Sequence, residues 1–106
     1  MKKVLVFGWV LMFGSLVSAA DFYVPSPLYP TIQDGINAAA TGDTVWVADG
    51  TYIEAVYVNK RIALVGVGTP TITAFGLGNT NTVTFIGIAT NNASIFGFRI
   101  TWGNRD

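Results

Sequence analysis

The chain of 106 residues contains no cysteine and no histidine. Without cysteine it has neither a disulfide framework nor a thiolate metal site to stabilise a small domain. Without histidine it lacks the commonest metal ligand and the commonest general base. Charge is scarce as well. Six basic residues balance six acidic ones, and charged side chains make up only 11% of the sequence. No basic stripe exists, which excludes the usual nucleic-acid-binding surface. No catalytic constellation is visible, and neither a cofactor nor a metal is expected.

What is present begins with an export leader. Met1-Lys2-Lys3 supplies a positive start, and Val4 to Val17 forms an apolar stretch. Ser18-Ala19-Ala20 then offers the small residues that a signal peptidase requires, so residues 1–20 read as a cleavable signal. Cleavage after Ala19 and cleavage after Ala20 fit equally well. The competing reading is a retained membrane anchor. The stretch is shorter than the roughly 18–20 apolar residues a spanning helix needs, and Gly8, Gly14 and Ser15 weaken it further. The expected location is therefore secreted, cell-surface or periplasmic, with no stable membrane insertion after cleavage. Loss of Lys2 and Lys3 with the leader leaves four basic residues against six acidic ones. The remaining length allows one small domain with a marginal core.

Residues 21–30 hold three of the four prolines and read as an extended lead-in. Thr31 then opens a helix expected over residues 31–40. It can cap the N-terminus, with Asp34 completing a weak capping box. Ile32, Ile36 and Ala39 repeat at helical spacing as one apolar stripe, and Gly42 is placed to end the helix. From Asp43 onward the pattern becomes short strands rich in Val, Ile, Thr and aromatics, each ending in Gly, Asn, Asp or Pro. Val45, Ile62, Val83 and Phe98 recur about 15–21 residues apart, and Ile53, Ile72 and Ile95 interleave with them. Two or three short strands per roughly 20 residues match the coil of a parallel β-helix. A β-sandwich would show longer, hairpin-paired strands at about 8–12-residue spacing. The apolar-faced helix then has a task, covering the open first coil and its unpaired edge.

The residues also carry a resemblance. Tyr29-Pro30-Thr31-Ile32-Gln33-Asp34-Gly35-Ile36-Asn37-Ala38-Ala39, then Gly42-Asp43-Thr44-Val45, then Asp49-Gly50-Thr51-Tyr52-Ile53-Glu54, then Lys60 through Gly66, resemble the N-terminus of pectin lyase-like right-handed β-helix proteins. Asn92-Ala93-Ser94-Ile95-Phe96-Gly97-Phe98-Arg99-Ile100-Thr101-Trp102-Gly103 is similar to their repeating coil. The resemblance implies an all-β, right-handed parallel β-helix over residues 31–106, with a short N-terminal capping helix and about three coils before the pattern stops. It is specific for fold and poorly specific for activity, because this fold hosts many functions. Gly50, Tyr52 and Glu54 fit a Gly-x-Tyr-x-Glu segment of pectin methylesterases, but non-esterase members carry the same segment. The esterases' catalytic aspartates and arginine lie in motifs this chain does not reach.

Candidate chemistry is modest. Asp49 and Glu54 flank a turn; paired carboxylates can act as acid and base or hold calcium, yet a turn residue explains Asp49 more simply. Asp43 likewise reads as a turn residue. Gly66-x-Gly68 is no dinucleotide loop, since position 71 is Thr and no helix follows. Asn92-Ala93-Ser94 is a formal glycosylation sequon, and a turn asparagine accounts for it. Lys60 and Arg61 could meet an acidic polymer, although charges at a turn are usually solvated. Trp46, Tyr52, Tyr57 and Trp102 are the candidates for stacking on sugar rings, some of them outward if Val45, Val47 and Ile53 point inward; packing against turns and the helix is the plainer reading. Two functions follow as expectations. One is a non-catalytic polysaccharide-binding or structural module. The other is the N-terminal fragment of a carbohydrate-active enzyme, a pectin methylesterase or polysaccharide lyase. Polysaccharide is the expected partner, with self-association through an open last coil.

Overall fold

A computed structural model describes residues 19–78, 80–87 and 92–102. Residues 1–18 of the expected leader lie outside the described residues. Among the described residues no helix is long and apolar enough to cross a membrane.

The described residues form nine short strands and one helix, in the order β1 (Asp21–Val24), α1 (Ile32–Ala38), β2 (Thr44–Val47), β3 (Thr51–Ile53), β4 (Val56–Val58), β5 (Ala63–Gly66), β6 (Thr71–Thr73), β7 (Val83–Phe85), β8 (Ser94–Phe96) and β9 (Arg99–Thr101). All pairing is parallel, in three sheets ordered β1-β2-β5-β8, β3-β6-β9 and β4-β7. The expected all-β architecture of parallel strands with one short helix is what the chain forms. Each strand pairs with one roughly 20–30 residues further on, so neighbouring strands are distant in sequence.

Alternation decides which side chains fill the core. In β2, Val45 and Val47 are fully buried while Thr44 and Trp46 face outward. The register stacks like on like. Phe22, Val45, Leu64 and Ile95 form one inward column, Tyr52, Ile72 and Ile100 a second, and Val58 with Phe85 part of a third. The first sheet's inward columns and the buried face of α1 meet in one cluster.

Two expectations need correction here. Residues 21–24 are a strand rather than part of a lead-in: the prolines begin only at 25, and Phe22 and Val24 supply the inward alternation that pairs β1 with β2. Ile53 points outward and is 62% exposed, whereas Tyr52 packs against the core. The Asp49-Gly50 turn sets β3 in the phase that places Tyr52, beside Ile72 in the ladder, on the inner face.

The helix is capped as its sequence foretells. The Thr31 hydroxyl accepts from the Asp34 N–H at 3.1 Å, and the Asp34 carboxylate accepts from the Thr31 N–H at 3.3 Å. It ends earlier than expected, at Ala38, because Ala39 adopts an extended conformation; Gly42, at φ 96°, belongs to the turn beyond. Ile32, Gly35 and Ile36 face β1 and β2. A Cβ on Gly35 would lie 2.7 Å from a Val24 methyl, so only glycine lets the helix seat this closely.

Candidate functional site

The outward face of the β1-β2-β5-β8 sheet carries a ladder of Tyr23, Trp46, Val65 and Phe96 in register. Tyr23 is 61% exposed and Phe96 58%. Trp46 is half-buried, and its indole Nε1–H donates to Asp21 Oδ1 at 3.0 Å, which fixes the ring's orientation on the sheet. Three steps between parallel strands carry this stripe about 14 Å along the sheet. At its β1 end lies a cavity of about 350 Å³ bounded by Tyr23, Pro25, Trp46, Asp49 and Val67. That is at the small end of ligand-sized clefts. Asp49 Oδ1 accepts from the Gly50 N–H at 3.0 Å, leaving an acidic side chain at the rim of an otherwise apolar surface. Exposed aromatic rings in register on a sheet can stack on an apolar ring face, and a carboxylate beside them can accept a hydroxyl's hydrogen bond.

The four aromatics singled out from sequence do not share this face. Trp46 belongs to it. Tyr57 is exposed on β4, in a different sheet. Trp102, 75% exposed, follows β9 at the other end of the described chain. Tyr52 is turned inward; its hydroxyl donates to the Ala48 carbonyl at 2.7 Å. Burial, then the Glu54 and Asp49 carboxylates, push the Tyr52 phenol up and keep it a neutral donor. Sequence reasoning missed Tyr23 and Phe96. The alternation of Tyr23 with Phe22 and Val24, and of Phe96 with Ile95, was the available signal.

The carboxylates serve the fold. Glu54 Oε2 accepts from the Ile32 N–H at 2.8 Å and Oε1 from the Gln33 N–H at 3.1 Å. A side chain distant in sequence thus caps the first turn of α1, where negative charge is favoured. At the other end, Lys60 Nζ donates to the carbonyls of Ala39 at 2.7 Å and Asn37 at 3.3 Å. Lys60 thus engages the C-terminal end of the helix. Between these clamps the Gln33 amide pairs with the edge of β4, accepting from the Tyr57 N–H at 2.8 Å and donating to the Tyr57 carbonyl at 3.0 Å. The helix closes that strand edge in the manner foreseen for it. Of Gly50, Tyr52 and Glu54, it is Glu54 that anchors the helix, while Tyr52 ties back to Ala48 and Gly50 forms the turn before β3. Both Glu54 oxygens are thus engaged with the helix. No group of three or more carboxylates able to hold a metal occurs among the described residues.

Glu54→Ala is expected to destabilise the protein by about 1–2 kcal/mol, with Glu54→Gln losing roughly half as much, as read by urea denaturation. Asp43 adds a pH dependence. Hydrogen bonds from the Ala20 and Ala40 N–H groups, at 2.9 and 2.8 Å, hold its carboxyl below the usual aspartate value against the opposing effect of burial, with Lys60 assisting. Its folded pKa lies below its unfolded one, so its contribution is present above the unfolded value and is lost as pH falls through the folded one. Acid titration should lower the melting temperature of the native chain below about pH 4, and Asp43→Asn should flatten that limb.

A second, larger cavity of about 580 Å³ is lined by Val83, Phe85, Ile95, Ile100 and Trp102. Its inward residues are exposed where their ladder partners are not: Ile100 is 47% exposed against 0% for Ile72, and Phe85 43% against 1% for Val58. This cavity is core left uncovered at one end of the sheets.

Compared with protein-family models, curated proteins and solved structures, the chain finds no match in any of the three.

Proposed function

We propose that this chain is an exported right-handed parallel β-helix segment, the fold its resemblance to pectin lyase-like proteins implies, and that it binds polysaccharide without transforming it. The observation that carries the binding is the Tyr23–Trp46–Val65–Phe96 stripe with its acidic rim. Soluble domains seldom display aromatics in register on an open sheet unless something covers them. The leader accounts for Lys2, Lys3 and the apolar stretch that follows. Three parallel sheets visited in the same order support the β-helix reading.

The test is retention of the exported protein on immobilised polygalacturonate, xylan and β-glucan. Binding to at least one is expected, weakened at least tenfold by Tyr23→Ala with Trp46→Ala and unchanged by Tyr57→Ala. Retention on none of them, or retention indifferent to Tyr23 and Trp46, would overturn the reading. The purified chain should neither cleave nor demethylate pectin.

A second reading, the N-terminal part of a carbohydrate-active enzyme, is favoured by the uncovered cavity. Phe85 and Ile100 are exposed, as residues that a further coil or a second copy of the chain covers would be. Downstream coding sequence with Asp, Arg or Lys motifs would favour this reading; further Gly-Phe-x-Ile-Thr coils without them would favour the first.

A further inference from the structure

The residue at the expected leader junction is built into the fold. The Ala20 N–H donates to Asp43 Oδ1 at 2.9 Å, and the Ala20 carbonyl accepts from the Thr44 N–H at 3.0 Å, opening the β1–β2 ladder. Asp43 is only 7% exposed, and its other oxygen accepts from the Ala40 N–H at 2.8 Å. Ala19 and Ala20 themselves are exposed.

From this geometry we infer that the mature chain begins at Ala20, and that its new α-ammonium forms an ion pair with the buried Asp43 carboxylate. The inference rests on the leader reading proposed above. A leader-removing peptidase hydrolyses the Ala19–Ala20 amide: water's oxygen stays on Ala19 as a carboxylate, and Ala20 keeps the nitrogen. That nitrogen then takes up a proton and becomes an ammonium with three donors. It already stands at hydrogen-bond distance from Asp43 Oδ1, so processing converts an ordinary amide donor into a charge-assisted one.

The alternative cut, after Ala20, has the opposite effect. It removes the donor from Asp43 Oδ1 and the acceptor from Thr44 N–H together, leaving a buried carboxylate oxygen short of a partner. Small-residue spacing does not separate the two sites; of the two products, only the one that starts at Ala20 keeps both hydrogen bonds. The charged groups to reckon with around the new terminus are Asp43 itself, Asp21 one residue on, whose carboxylate accepts from the Trp46 indole, and Lys60, which acts on Asp43 electrostatically while its ammonium is held by the Ala39 and Asn37 carbonyls.

The experiment is the intact mass and N-terminal sequence of the product exported by a bacterium expressing the full chain. A product starting at Ala20 is expected. A start at Asp21, or at any other residue after cleavage, overturns this inference and leaves the leader reading intact; an uncleaved chain overturns both. A second measurement follows the α-amino group of that product by NMR after ¹³C-methylation. Its proton affinity should exceed that of the Asp43→Asn product about tenfold, because an opposite charge at contact favours the protonated amine. Equal titration of the two would overturn the ion pair. If Asp43→Asn yields no folded product, the mass of the native product still decides the start site.

Discussion

Leu64→Ala is expected to leave much of the protein unfolded at 37 °C. Leu64 is fully buried and stands between Val45 and Ile95 in the inward ladder of the largest sheet. Truncating such a side chain costs about 2–5 kcal/mol, from lost transfer energy and from the cavity left behind. Relaxation is limited here, because the ladder's backbone hydrogen bonds hold both neighbours at fixed spacing. A domain of this size sits at the low end of the usual stability range of about 5–15 kcal/mol. The loss is thus a large share of the total. Urea denaturation followed by circular dichroism checks it, with Ile53→Thr as the control. Ile53 is 62% exposed, so that change should stay within about 0.5 kcal/mol. A large loss on Ile53→Thr would contradict the phase of β3.

Gly66→Ala is expected to be nearly as damaging, for the opposite reason. A Cβ at Gly66 would collide with the Gly97 carbonyl oxygen and lie 2.8 Å from a Pro70 ring carbon. Neither the carbonyl nor the proline ring can swing aside as a flexible side chain would. The backbone of β5 or the turn after β8 must move, at about 1–3 kcal/mol or more. Gly97 has φ 83°, a conformation that side chains resist, so the turn has little freedom to yield. Gly97→Ala should therefore destabilise as well, and the double variant should cost less than the sum of the singles, since one displaced turn relieves both. Melting temperatures of the three variants, compared as a thermodynamic cycle, test this.

Much of the architecture was legible in the residues. The capping box at Thr31 and Asp34 was readable because a cap needs only local chemistry. The short strands were readable because β-branched runs end at Gly, Asn, Asp and Pro, and their repeat pointed to parallel stacking between distant segments. The direction of β3 was not readable. Thr51-Tyr52-Ile53 offers a usable inward residue in either phase, and the Asp49-Gly50 turn with the Ile72 partner made the choice. Strand β1 was hidden by the prolines that follow it, since it exists only through its partner β2. The roles of Glu54, Gln33 and Lys60 were hidden for the same reason. Each acts more than twenty positions away along the chain.

The candidate site shows the same division. The sequence by itself determined that aromatics such as Trp46 alternate with buried valines and must face outward, because a strand's period is two. It also determined that no thiol or imidazole chemistry is available. Only the tertiary structure decided which aromatics share a surface. Parallel register aligned Tyr23, Trp46 and Phe96 on one sheet, turned Tyr52 into the core and left Tyr57 and Trp102 elsewhere. Periodicity sets the face of one strand, but neighbours on a sheet are chosen by pairing between segments about 20–30 residues apart, and that pairing is settled by packing rather than by local preference.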